Sequence, residues 1–105
     1  MNVLIGLDVS LASTAVCVLS ENGEIVQETV VLSEPDALIS TLRELPQQVL
    51  RIGLEAGPLS QWLYKKMTDA GFETVLMETR QVKGALKAMP IKTDRRDAEG
   101  IARLL

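Results

Sequence analysis

Histidine is absent from this 105-residue chain. That removes imidazole general bases, Ser-His-Asp triads and histidine-held zinc together. Cysteine occurs once, at Cys17, which excludes an intrachain disulfide or a thiolate zinc cluster and makes the reducing cytoplasm the expected home. The aromatics are only Trp62, Tyr64 and Phe72, too few for the ring platform on which single-strand binders stack bases. No apolar run approaches the roughly 20 residues that a membrane-crossing helix needs. The opening MNVLIGLDVS has no basic flank and meets an acid at its eighth residue, so it is not a signal peptide. A membrane is not an expected partner.

What is present suits a single aliphatic domain. Hydrophobic residues make up 47% and charged residues 24%, ordinary values for a globular protein, and the length allows one domain. The net charge of −3 conceals an uneven distribution. Residues 1–79 hold 4 Lys/Arg against 11 Asp/Glu, whereas residues 80–105 hold 7 against 3. The basic end argues for an anionic partner there, although a solvated helix face reads the same way.

Three consecutive strands are expected first: residues 3–8 (VLIGLD), 14–19 (TAVCVL) and 25–31 (IVQETVV). Asn22-Gly23 between the last two is a hairpin signal, because both central residues tolerate positive φ. Ser33, three residues before Asp36 with Pro35 between, reads as an N-cap for a helix running to about Leu45. Residues 49–55 (VLRIGLE) form a near-continuous apolar strand of the kind buried on both faces. Pro58 opens a second helix with Leu59, Trp62, Leu63 and Met67 at helical spacing, and Gly71 stops it. Residues 72–77 are a last strand. The tail from Arg80 reads as helix, interrupted near Pro90 and resumed from Thr93, with Ala98, Ile101, Ala102 and Leu105 as one stripe. This order predicts an α/β fold on a mixed sheet, three antiparallel strands then two parallel, flanked by helices. The uncapped apolar ending IARLL suggests a piece of a longer protein.

Four carboxylates stand where neutral side chains would be easier to accommodate. Asp8 lies in the first apolar strand, sharing a face with Leu4, Gly6 and Ser10, and an ionised acid there costs several kcal/mol unless a cation meets it. The alternative is an acid exposed at a frayed strand end. Glu55 closes a buried strand before the tight turn Ala56-Gly57-Pro58, and ligands gather at the carboxyl ends of parallel strands. Alone, Glu55 suits equally the support of a helix start through its dipole. Asp94 and Asp97, spaced i, i+3, project from one helix face, where they suit a shared cation or, for Asp94, a cap. Lys92, Arg95 and Arg96 alternate with them and could hold a phosphate backbone, or merely balance charge; Lys83 and Lys87 extend the same basic set. Magnesium, or manganese in its place, takes oxygen ligands and keeps several waters. Two such ions about 4 Å apart would stabilise the attacking and leaving oxygens of a phosphodiester without any protein base.

The segments IGLDVS, GLEAGPLSQWLYKKM and AMPIKTDRRDAEGIARLL resemble the N-terminal domain of DEDD transposases of bacterial insertion sequences of the IS110 group, over essentially the whole chain. The resemblance implies an RNase H-like (RuvC-like) fold over residues 1–105, with Asp8, Glu55, Asp94 and Asp97 as the catalytic magnesium ligands. It implies DNA recombination during transposition, guided by an element-encoded bridge RNA, and higher oligomers. It also implies a second, C-terminal domain bearing a nucleophilic serine, which none of Ser10, Ser13, Ser20, Ser33, Ser40 or Ser60 replaces. Three other readings share these features: a stand-alone junction resolvase, a non-enzymatic docking module, and the ATPase lobe of sugar kinases and actin relatives. The last wants a glycine in its phosphate-holding hairpin, and residues 10–13 (SLAS) have none.

Overall fold

Alternation of aliphatic side chains in the opening segment commits it to a strand with two buried faces, and the remaining strands assemble on either side of it. The computed structural model describes residues 1–88 and 96–105, apart from the Arg96 side chain. Pro90, Lys92, Thr93, Asp94 and Arg95 therefore lie outside the described residues. The elements run β1 (Asn2–Val9), β2 (Ser13–Ser20), β3 (Ile25–Leu32), α1 (Pro35–Arg43), β4 (Gln48–Glu55), α2 (Ser60–Asp69), β5 (Thr74–Met77), α3 (Thr79–Ala88) and α4 (Arg96–Leu104). The sheet order is β3-β2-β1-β4-β5. The first three strands form an antiparallel meander, whereas β4 runs parallel to β1, and β5 parallel to β4. The mixed sheet thus has the expected antiparallel and parallel halves.

Helices cover both faces. Val3, Ile5 and Leu7 of β1, with Val16, Val18, Ile52 and Leu54, pack against Leu38, Leu42, Leu63 and Met67 of α1 and α2. On the opposite face Cys17 and Leu19 meet Ala98 and Ala102 of α4, and Met77 meets Val82 of α3 and Ile101 of α4. Among the described residues no helix is long and apolar enough to cross a membrane.

Local chemistry departs from the sequence expectations at four points. The β2–β3 hairpin places only Gly23 at positive φ, 87°, and among the described residues no non-glycine residue shares that region. The Gly23 N–H donates to the Ser20 carbonyl at 3.0 Å. This is the longer hairpin type, in which one left-handed residue follows an ordinary turn, so Asn22 needs no positive φ. Ser33 does not cap α1; the N-cap position is Glu34, with no side-chain cap. The Ser33 hydroxyl is instead buried, donating to the Ser10 carbonyl at 2.6 Å and sharing a 2.7 Å hydrogen bond with Thr14. Satisfying buried polar groups of the loop after β1 outweighs capping an exposed helix end.

The other two departures involve aromatics. Trp62 is 46% exposed, because Ser60, Leu63 and Met67 form the buried stripe of α2 and Trp62 lies off it. Phe72 precedes β5 and closes α2 instead: its N–H donates to Met67 at 3.1 Å and the Gly71 N–H to Thr68 at 3.0 Å, with Gly71 at φ 100°. That pairing is a Schellman stop.

The seating of α4 depends on two glycines that face each other in register, Gly6 on β1 and Gly53 on β4. A Cβ at Gly6 would collide with the Ala98 carbonyl oxygen and lie 2.6 Å from the Ala102 nitrogen. One at Gly53 would lie 2.8 Å from the Met77 methyl and 3.1 Å from Ile101. The helix thus rests its own backbone, between two alanines, on a floor without side chains. The far end is tied down by Arg103, whose guanidinium donates to Glu99 at 2.7 Å and to the Gly23 carbonyl at 3.1 Å. Replacing Gly6 by Ala sets a methyl against helix backbone that cannot rotate away. A loss of about 2 kcal/mol or more in urea unfolding is expected; a Gly6→Ala chain as stable as the parent would contradict this seating.

Candidate metal and nucleic-acid site

β1 and β4 carry the same tetrad, Ile-Gly-Leu followed by an acid, at Ile5-Gly6-Leu7-Asp8 and Ile52-Gly53-Leu54-Glu55. The parallel register pairs Ile5 with Ile52, Gly6 with Gly53 and Leu7 with Leu54. The next residue of each strand is its acid. Two residues beyond the glycines, both acids point to the α4 side of the sheet. Asp97, in the first turn of α4, arrives from a third element because the helix lies across those glycines.

Electrostatics shows that the three acids share one environment. Burial, and then the charge of Asp97, raise the Asp8 carboxyl above its ordinary 3.8. Burial raises Glu55 above 4.5, with the charges of Asp8 and Asp97 adding to it and Lys83 opposing them. Like charges held together in a partly desolvated place favour protonation or a counter-cation. Among the described residues no salt bridge or hydrogen bond reaches the carboxylates of Asp8, Glu55 or Asp97.

The surroundings hold these acids in place. An open cleft of ≈ 310 Å³ lies at the carboxyl ends of β1 and β4, lined among others by Asp8, Ser10, Glu55, Pro58 and Ser60. The turn after Glu55 is fixed by the buried Ser60, whose hydroxyl donates to the Glu55 carbonyl, and by the Ala56 N–H donating to Met77 at 2.8 Å. The loop on the other side is fixed by Ser33. Ser60 carried no positional signal in the sequence, since it acts by bonding to backbone, and the signal at Ser33 pointed to a helix cap instead of to the Ser10 carbonyl and Thr14. Gly53 did carry one, the repeated tetrad, which the strand-by-strand reading passes over.

A hard divalent cation fits the chemistry of this donor set. The donors are all carboxylate oxygens, and their mutual repulsion is what such an ion would relieve. Among the described residues the acids do not close into a ready three-ligand cluster. The fourth expected acid, Asp94, lies outside the described residues, as do Lys92, Arg95 and the Arg96 side chain. Of the other basic residues, Lys83 and Lys87 are exposed on α3, and Lys83 is the one whose field reaches Glu55. Cys17 takes no part: burial first, and then the Glu28 and Glu99 carboxylates, push its thiol up to about 12.

A family model described as a transposase, of the DEDD type of IS110, matches residues 5–105. No curated protein matches the sequence. Among solved structures, RuvC from Thermus thermophilus superposes with a TM-score of 0.65 at 15% identity, covering 95% of this chain and 90% of that one. The same protein in complex with a Holliday junction substrate gives 0.63 at 15% identity, with the same coverage. A ROK hexokinase from Thermus thermophilus gives 0.59 at 17% identity, covering 89% of this chain but only 40% of the kinase. At such identities these likenesses establish a RuvC-like fold.

The raised carboxyls have a consequence for stability. Because the native state binds protons that the unfolded chain has released, the stability these groups contribute is complete below about pH 3.8 for Asp8 and 4.5 for Glu55. It is lost as pH rises through their higher native values. With divalent cations chelated, Asp8→Asn is therefore expected to melt above the parent at pH 7, the gap closing as pH falls below about 3.8. Parallel melting curves across that range would show that Asp8 is not repelled.

Proposed function

The chain belongs to the DEDD transposase family of IS110, and on that premise we propose that it is the family's metal-dependent phosphodiester-cleaving domain. Its substrate would be DNA, cut and joined during transposition. The observation that carries the reading is the mutual repulsion of Asp8, Glu55 and Asp97, brought from three elements to the carboxyl ends of two parallel strands.

In this proposal Asp8, Glu55, Asp94 and Asp97 hold Mg2+, or Mn2+ in its place. Bound there, the ions supply charge stabilisation at the attacking and leaving oxygens of the phosphodiester. The chain's own contribution is placement. Paired strands present Asp8 and Glu55 side by side, and Ser60 and Ser33 hold the flanking loops. α4 delivers Asp97. Lys83, Lys87, Lys92, Arg95 and Arg96 grip phosphates away from the reacting one. The reading extends to a second domain with a nucleophilic serine, a guide RNA and self-association of the full protein, all carried by the family resemblance alone.

A second reading is favoured by one observation. The chain covers 90% of a RuvC chain whose structure includes a Holliday junction. A domain of this size acting alone on branched DNA is therefore the alternative, and junction cleavage by the isolated chain would favour it.

The decisive measurement is a manganese titration followed by paramagnetic broadening or calorimetry. Wild type is expected to bind, and Asp8→Asn and Asp97→Asn each to weaken binding about tenfold or more, in the range seen when metal-site residues are lost. Equal binding by all three chains would remove the site.

A further inference from the structure

The outward face of α3 is basic and carries an interior glycine whose place would hold a side chain without a clash among the described residues. Along the helix Val82 is buried, and Leu86 packs beside it toward α4. Arg80, Lys83, Gly84 and Lys87 are exposed. Their spacing of i, i+3, i+4 and i+7 puts all four on one face. No acid lies within the helix, and among the described residues none of the three cations is in a salt bridge.

Glycine is the least favourable helix residue after proline, so an interior glycine calls for a reason. Positive φ is not that reason here, since among the described residues only Gly23 and Gly71 have it. Crowding is not the reason either. A Cβ at Gly84 would meet nothing within 4 Å among the described residues, in contrast to those at Gly6 and Gly53. Among the described residues, nothing accounts for the missing side chain.

We infer that this face of α3 receives the sugar–phosphate backbone of duplex DNA, with Gly84 as the point of closest approach and Arg80, Lys83 and Lys87 around it. Three cations and no apolar side chain on the face suit a polyanion, whereas a protein partner would look for an apolar centre. The location selects the nucleic acid on which the acids would act. α3 begins just beyond Met77, the β5 residue paired with Glu55, and the charge of Lys83 is felt at Glu55. A strand lying on this face therefore runs on toward the carboxylates. The inference rests on the proposed function and adds to it a docking surface and a close-approach residue.

Duplex binding by the 105-residue chain, read by fluorescence anisotropy over a salt series, tests this alongside thermal melting. Gly84→Ala should melt about 4 °C or more above the parent, because alanine is the better helix former. The same variant should bind a short labelled DNA duplex about threefold or more weakly, a methyl now standing between backbone and phosphate. Arg80→Ala should reduce the log–log salt slope by about one. A Gly84→Ala chain that melts higher yet binds as the parent does would overturn the surface and leave the function standing. One that melts lower would reveal a structural need for the glycine and would also overturn it. Binding of an RNA duplex in place of DNA would overturn the assignment of the occupant. No duplex binding by the parent chain would end both this surface and the DNA partner of the proposed function.

Discussion

The contact on which the rest of the structure depends is that of α4 with β1 and β4. Helices usually stand off a sheet by the length of interdigitating side chains. Here Gly6 and Gly53 remove those side chains, and Ala98 and Ala102 keep the helix side slim. The axis settles low enough for the first turn of α4 to reach the ends of two parallel strands. Arg103, bridging Glu99 and the β2–β3 hairpin, prevents the helix from rolling on so smooth a floor. Close-packed interiors have little slack, so a single methyl at Gly6 has nowhere to go.

That seating places charge against charge. Burial raises both Asp8 and Glu55, Asp8 adds its charge against Glu55, and the descending helix adds that of Asp97 against both. A protein selected for stability alone would put neutral residues at such places. Local rules broken without local compensation cluster where a molecule does its work. The chain belongs to the DEDD transposase family, and its RuvC-like fold sets the ends of β1 and β4, with Asp8 and Glu55, side by side. The likeness to a ROK hexokinase shows the same topology shared with a sugar kinase, so the fold by itself does not choose between phosphodiester and phosphoryl chemistry.

Much of the architecture is legible in the sequence because each strand carries its own period. β1, β2 and β4 declare themselves by aliphatic runs, and Gly71 marks the end of α2 by its place after the last buried stripe residue. Three local signals take a different form in the structure, although the expected β2–β3 hairpin is present. Ser33 has the spacing of an N-cap, but its hydroxyl serves the Ser10 carbonyl and Thr14, partners 23 and 19 residues away. Asn22 matches a hairpin signal, but the hairpin takes its left-handed residue at Gly23 alone. Trp62 matches a helical stripe that Ser60, Leu63 and Met67 fill instead. In each case a local pattern admits two outcomes, and for Ser33 partners distant in the chain select one.

The sequence by itself determined the kinds of donor available, by omitting histidine and all but one cysteine, and it determined the strand and helix periods, since these are written in neighbouring residues. It also carried the repeated Ile-Gly-Leu-acid tetrad, the trace of two strands built for one register. Only the tertiary structure decided that those tetrads lie side by side, that the glycines bear a helix, and that Asp97 comes within electrostatic reach of Asp8 and Glu55. Such facts depend on which surfaces meet when apolar area is buried on both sides of the sheet. Contacts between residues 90 positions apart leave no periodicity in the chain that makes them.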